Sequence, residues 1–299
     1  MVGVPLRGVI GIFFFPQQRI FRRSRSDAAL LAIHYGNAHA QRSKINTCYQ
    51  CHASFYKITI MASGFDGFPK EGLDFFRKLK KNNKREWFQP RKQIFDEKVK
   101  APMIELIGEM NAQFARFAPE HIVEPSKAIY RIYRDTRFSN DKTPYKTHIA
   151  ANFPRQGLEK HAGGGFYFSV GADEIEVAGG VYMPGPEQLR AIREHIAGNH
   201  KVFAKLAGGK AVRELMGDMH GDPLTRLPKG FGCEHPAEEY LKCRRWIFYR
   251  SDLNPKIAST RDLLPELVKR LKAMTPFVRF LNEPLLKLSG SQKSRDYDR

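Results

Sequence analysis

No stretch of this 299-residue chain approaches the roughly 20 apolar residues that a membrane-crossing helix needs. The longest apolar run, Val9 to Phe15, is broken by Gly11 and stopped by Pro16, so no membrane span is expected. Cysteine is scarce too, with only Cys48, Cys51, Cys233 and Cys243. Small disulfide-stapled domains are far denser in cysteine, which points to a reduced, cytoplasmic protein. The signatures of familiar catalytic folds are missing: there is no GxxxxGK(S/T) phosphate loop, GxGxxG, GxSxG elbow or HExxH. No internal repeat is found, and no motif implies a particular cofactor.

Positive charge is what the chain has in surplus. Its formal net charge is +19, while 42% apolar and 27% charged residues are ordinary for a globular protein. Such a surplus favours anionic partners: a phosphate-bearing small molecule, nucleic acid or an anionic membrane surface. Residues 1–61 supply +7 of it, with eight Lys and Arg against the single acid Asp27. This leader shows no sustained periodicity. A transit peptide, a secretory signal ending near Ala38-His39-Ala40, and an over-long start all fit it, and the expectation carried forward is that Met61 is the natural start. Cys48-Tyr49-Gln50-Cys51-His52 matches the haem-attachment pattern CxxCH, read here as a chance match in the leader.

Organised sequence begins near Phe65. Pro69 suits a first helical turn, and Leu73, Phe76 and Leu79 follow on one face. Asn83 with Glu86 reads as a capping box for the next helix, which Pro90 bends. Pro102 opens a third helix carrying Met103, Leu106, Ile107, Met110, Phe114 and Phe117. The period then changes: Ala128–Arg134, Thr147–Phe153, Phe166–Val170, Ile175–Tyr182 and Arg244–Arg250 read as strands, with a hairpin turn at Gly171-Ala172-Asp173-Glu174. A helix from Pro186, shorter pieces over 200–216, and a long helix over Thr260–Leu281 interrupted by Pro276 complete the pattern. The expectation is a single α+β domain over 62–288, a mostly antiparallel or mixed sheet flanked by helices, with a polar, structureless tail at 289–299.

The segment from Arg131 to Lys146 is the densest in chemistry. Arg131, Arg134, Arg137, Lys142 and Lys146 surround Asp135 and Asp141, with Ser139, Thr143 and Tyr145 between them. Arginines in such a loop grip phosphate or carboxylate oxygens bidentately, and lysines add point charge. Arg131, Arg134, Arg137, Lys142, Tyr145 and Lys146 are therefore the candidate ligand-binding residues. Asp135 and Asp141 are the candidate acid–base groups should the site be catalytic. The competing reading is a salt-bridge network that pins the loop and makes the domain a scaffold.

GFPKEGLDFFRKLKKNNKREWF (Gly67 to Phe88), RIYRDTRFSNDKTPYKTH (Arg131 to His148) and Gly163-Gly164-Gly165-Phe166-Tyr167 together resemble domain-of-unknown-function family 2461. Gly180-Val181-Tyr182-Met183-Pro184 and the stretch from Glu234 to Lys242 fit the same pattern. The resemblance covers about residues 65–282, with Pro90 as a departure. It implies a start just before the GFP motif and no particular chemistry.

Other constellations are weaker. Asp218, His220 and Asp222 read as an exposed turn, and His195 and His200 are five apart, off one helical face; no metal set is assigned. Glu234, His235, Glu238 and Glu239 suit the start of a short helix. Trp87, Tyr130, Tyr133, Phe138, Tyr145, Trp246 and Tyr249 alternate with basic residues, as core aromatics do and as a base-stacking sheet would. Non-specific nucleic-acid binding is thus the alternative to a small anionic ligand.

Overall fold

Leu73, Phe76 and Leu79 are buried along one side of helix α1 (Lys70–Lys81), which Pro69 precedes. The computed structural model describes residues 64–137, 139–158, 163–232 and 234–297. The readings of the leader, including Cys48, Cys51, His52 and Met61, and those of Phe138 and Cys233 lie outside the described residues. Asn83, expected as a cap, takes another role. Lys84 precedes helix α2 (Arg85–Phe88), and the Asn83 side chain bonds the backbone of Tyr145 instead. Two backbone groups of a distant loop then find partners, a demand that outweighs one local cap.

Pro90 was expected to bend one helix; instead a 3-10 turn at Gln89–Arg91 divides it into α2 and helix α3 (Lys92–Phe95). A π turn at Asp96–Lys100 leads into α4 (Ala101–Phe117), which buries Met103, Leu106, Ile107, Met110 and Phe114. After the short α5 (Pro125–Ala128) comes a correction. The strand expected over Ala128–Arg134 is replaced by two isolated bridges, Ile129 to Ala151 and Tyr133 to Tyr145. The chain here bonds its own return: Arg134 donates its N–H to Pro144 at 2.9 Å, and Lys146 donates to Ile132 at 2.8 Å. The loop closes on itself, and Tyr130 ties it to the sheet by donating to the Ala150 carbonyl at 2.9 Å.

The sheet is an antiparallel meander in the order β1-β2-β3-β4: β1 (His148–Phe153), β2 (Gly165–Gly171), β3 (Ile175–Val181) and β4 (Trp246–Arg250). Between β3 and β4 lie α6 (Pro186–Gly198), α7 (His200–Ala207), α8 (Lys210–Met216) and α9 (Glu238–Leu241). The closing helix α10 runs Leu263–Tyr297, through both Pro276 and Pro284, where an interruption at Pro276 and a structureless tail from Ser289 were expected. Buried Met274, Phe277, Val278 and Leu281 hold it in place across Pro276.

Alternation assigns the two faces of the sheet. Phe166, Phe168, Val177, Trp246 and Phe248 point into the core, where they join α4 and α10 in one continuous cluster. Gly179 lies under α10 so closely that a Cβ there would sit 2.8 Å from the Met274 sulfur. The described residues form an α+β fold, and no helix among them is long and apolar enough to cross a membrane.

Candidate functional site

The other face of the sheet is polar. It carries His148 and Asn152 from β1, Tyr167 and Ser169 from β2, Glu176 from β3 and Tyr249 from β4. Register explains how they meet. Ser169 stands opposite Glu176, while Ala178 stands opposite both Tyr167 and Tyr249. Glu176 is therefore the diagonal neighbour of both tyrosines, within reach of long side chains across the small Ala178. Its carboxylate accepts the Ser169 hydroxyl at 2.7 Å and the Tyr167 hydroxyl at 3.2 Å on one oxygen. The other oxygen accepts the Tyr249 hydroxyl at 2.7 Å. Burial, with Glu176 adding to it, raises the pKa of both phenols well above the ordinary tyrosine value, so they act as hydrogen-bond donors and not as bases.

Lys146 and the loop border this face at the β1 edge. The Lys146 ammonium sits 5.2 Å from the centre of the Tyr130 ring, and that ring lies 6.2 Å from Tyr167. Burial, then the charge of Arg131, lowers the Lys146 pKa to about 8. His148 is also held below its ordinary value, chiefly by burial. Glu176 pulls it upward, while Lys146 and Arg134 push it down. The imidazole thus lies between the fields of a carboxylate and an ammonium. A groove of about 520 Å³ opens beside this edge, with Tyr130, Asn152, Ile129 and Arg155 on its walls.

Arg134, Arg137 and Lys142 bond within the loop. Arg134 bonds Asp141 and Thr143, and Arg137 forks onto Asp135 with contacts of 3.0 and 2.7 Å. Lys142 donates to the Thr136 carbonyl at 2.9 Å. The same pairs hold the Asp135 and Asp141 carboxyls at a pKa of about 2, Asp135 by Arg137 and Asp141 by Arg134. Both aspartates are ionised and weakly basic at neutral pH, a poor match for proton transfer. Tyr145 is 2% exposed and stacks on Phe88 at 4.2 Å, so its ring belongs to the core. Of the six candidate binding residues, Lys146 borders the polar face, and exposed Arg131 acts on it electrically. Arg134, Arg137 and Lys142 shape the loop, and Tyr145 anchors it.

Sequence reading missed His148, Tyr167, Ser169 and Glu176. The available signal was the outward half of the strand alternation, Tyr167-x-Ser169 and Glu176-x-Ala178, masked by aromatic residues on both faces of β2. The basic and aromatic set divides: Tyr145 and Trp246 are buried, Trp87, Tyr130 and Tyr249 are half-buried, and Tyr133 is exposed. In the turn after α8, Asp218 pairs with Arg213 at 2.8 Å, and Asp222 holds Arg244 and Arg245 at 2.8 and 2.9 Å. The acids at the start of α9 precede Cys243, a buried thiol whose pKa burial pushes up to about 11.

The model of a conserved hypothetical protein family, DUF2461, matches residues 71–280, and the chain belongs to that family. No curated protein and no solved structure matches the chain.

Proposed function

We propose that the domain binds a small phosphate- or carboxylate-bearing molecule at the β1 edge of the polar sheet face, with Lys146 and Arg131 holding the anion. The observation that carries this reading is the placement of the half-buried Lys146 ammonium over Tyr130, in the field of Arg131. An anion between the two cations is attracted by both charges, and the partly desolvated setting of Lys146 strengthens that attraction. Around them, the Arg134–Asp141 and Arg137–Asp135 pairs fix the loop that carries Arg131. The polar face beyond offers groups that can orient the rest of the ligand.

The test is a calorimetric titration of the full chain with inorganic phosphate, pyrophosphate and citrate, repeated with Lys146→Met and Arg131→Ala. Each substitution should weaken binding by about tenfold or more, as loss of a charged hydrogen bond does. Oligonucleotide binding that falls steeply with salt and ignores both substitutions would replace this reading with non-specific nucleic-acid binding. A chain that binds none of these anions, or binds them unchanged in both variants, would leave the loop as scaffolding.

A further inference from the structure

We propose that the anion held by Lys146 and Arg131 belongs to a sugar phosphate whose hydroxyl groups lie on the polar sheet face around Glu176. This inference rests on the anion-binding reading above and names its ligand class.

The chemistry of the face selects for hydroxyls. An ionised carboxylate only accepts hydrogen bonds, and a hydroxyl that spends its proton on it is left with lone pairs to offer. Tyr167, Ser169 and Tyr249 all donate to Glu176, at 3.2, 2.7 and 2.7 Å. Ser169 is buried beneath the cluster, so the acceptors that the centre of the face presents are the half-buried oxygens of Glu176, Tyr167 and Tyr249, and its edge is cationic. A ligand complementary to both has an anionic end and a body rich in O–H donors. A second anionic group would meet the charge of Glu176, and an apolar body would leave the acceptors unpaired at a cost.

Shape agrees with this selection. Ala150 stands opposite Ser169, and Ala178 lies between Tyr167 and Tyr249, so the floor of the face is low between two half-buried tyrosines. A sugar ring can settle there with its C–H surface against the phenol rings while its hydroxyls reach the Glu176 carboxylate and the tyrosine oxygens. Tyr130 links the two ends, with the Lys146 ammonium 5.2 Å and the Tyr167 ring centre 6.2 Å from the centre of its ring.

The experiment is a calorimetric titration of the full chain with inorganic phosphate, phenyl phosphate, ribose 5-phosphate and glucose 6-phosphate. At least one sugar phosphate should bind tighter than both inorganic and phenyl phosphate by about tenfold or more. Ala178→Leu fills the floor without removing a donor or acceptor, so it should abolish that surplus and leave inorganic phosphate binding unchanged. Tyr249→Phe, which keeps the ring, should reduce the surplus several-fold; it carries the comparison if Ala178→Leu lowers the melting temperature sharply. Sugar phosphates that bind no tighter than inorganic phosphate, or a surplus that survives these substitutions in folded protein, would overturn the inference and leave the anion site standing. Absence of phosphate binding altogether would remove both.

Discussion

The side-chain amide of Asn83 and the backbone of Tyr145 bond each other in both directions: Asn83 Nδ2 donates to the Tyr145 carbonyl at 2.8 Å, and the Tyr145 N–H donates to Asn83 Oδ1 at 3.0 Å. This clasp spans 62 positions and ties the end of the basic loop to the junction between α1 and α2. Asn83→Ala removes both bonds and leaves two backbone groups of a buried residue without them. It should destabilise the domain by about 1–3 kcal/mol in urea unfolding. Phosphate binding should weaken with it, because Lys146 follows Tyr145 directly. Unchanged stability would show that water replaces the clasp at no cost.

A second clasp joins α10 to the segment after α4. Arg279 forks onto Glu120 at 2.6 and 3.0 Å and donates to the Phe117 carbonyl at 2.7 Å. The Arg279 bond holds the Glu120 carboxyl at a pKa of about 2, against an ordinary 4.5. A depressed carboxylate pKa contributes stability above its unfolded value and loses it as pH falls from about 4.5 toward about 2. Arg279→Ala should cost about 1–2 kcal/mol at pH 7, allowing for solvent screening at the half-exposed guanidinium. It should also flatten the acid limb of the stability curve over that window. An acid limb identical to that of the parent would refute the assignment.

His121 gives a separate pH dependence. The ring is fully buried, with Nδ1 at 3.0 Å from the Phe153 carbonyl and Nε2 without a partner among the described residues. Phe114 and Phe166 face it, and burial lowers its pKa below the ordinary 6.5. The unfolded chain takes up this proton before the folded one does, so stability should decline as pH falls below 6.5. Thermal unfolding between about pH 7.5 and 5.5, one unit either side of that value, should show the decline in the parent and a smaller one in His121→Leu. Equal slopes would count against the assignment.

At Gly180 the backbone has φ of 132°, and a Cβ would fall 2.1 Å from the Trp246 carbonyl oxygen. Gly180→Ala therefore combines backbone strain with a clash at the β3–β4 pairing. The expected loss is about 3 kcal/mol or more. Gly230 also has positive φ, 95°, but nothing lies within 4 Å of its Cβ position, and Gly230→Ala should cost only about 1–2 kcal/mol. Comparable losses at the two positions would mean that the clash is relieved by movement.

The proposed anion site predicts its own pH profile. A phosphate monoester is mostly dianionic above about pH 6, and Lys146 is cationic below about 8. Phosphate binding should be strongest between these limits and fall above the upper one, with proton uptake on binding in that range. Lys146→Met should lose the alkaline fall together with most of the affinity. Binding that is flat from pH 7 to pH 10, about the full span of the lysine shift, would show that Lys146 does not hold the anion.

Much of the fold was legible locally. Leu73, Phe76 and Leu79 mark the buried side of α1, Pro90 disturbs the next helix, as a break where a bend was expected, and Gly171 to Glu174 form the expected hairpin turn. Each depends on neighbours within a few residues, and sequence records those directly. The strand expected over Ala128–Arg134 failed because its Ile and Tyr residues suit a ladder, yet its backbone bonds go to the return of its own loop. Asn83 failed as a cap because the backbone it bonds lies at Tyr145.

The sequence by itself determined the four strands that pair and the main helices around them, the scarcity of cysteine, the positive charge and the position of the basic loop, all of which follow from composition and short-range periodicity. Tertiary structure decided which loop cations are occupied by Asp135 and Asp141, and that Tyr145 is core while Lys146 borders a polar face. It also gathered Tyr167, Ser169 and Tyr249 around Glu176. The physical reason is strand register: Ser169 and Glu176 become neighbours through the hairpin, and Tyr249, 73 positions from Glu176, arrives only when β4 pairs with β3. A one-residue slip in that pairing would turn Tyr249 into the core and dissolve the cluster, while leaving every local pattern in the chain unchanged.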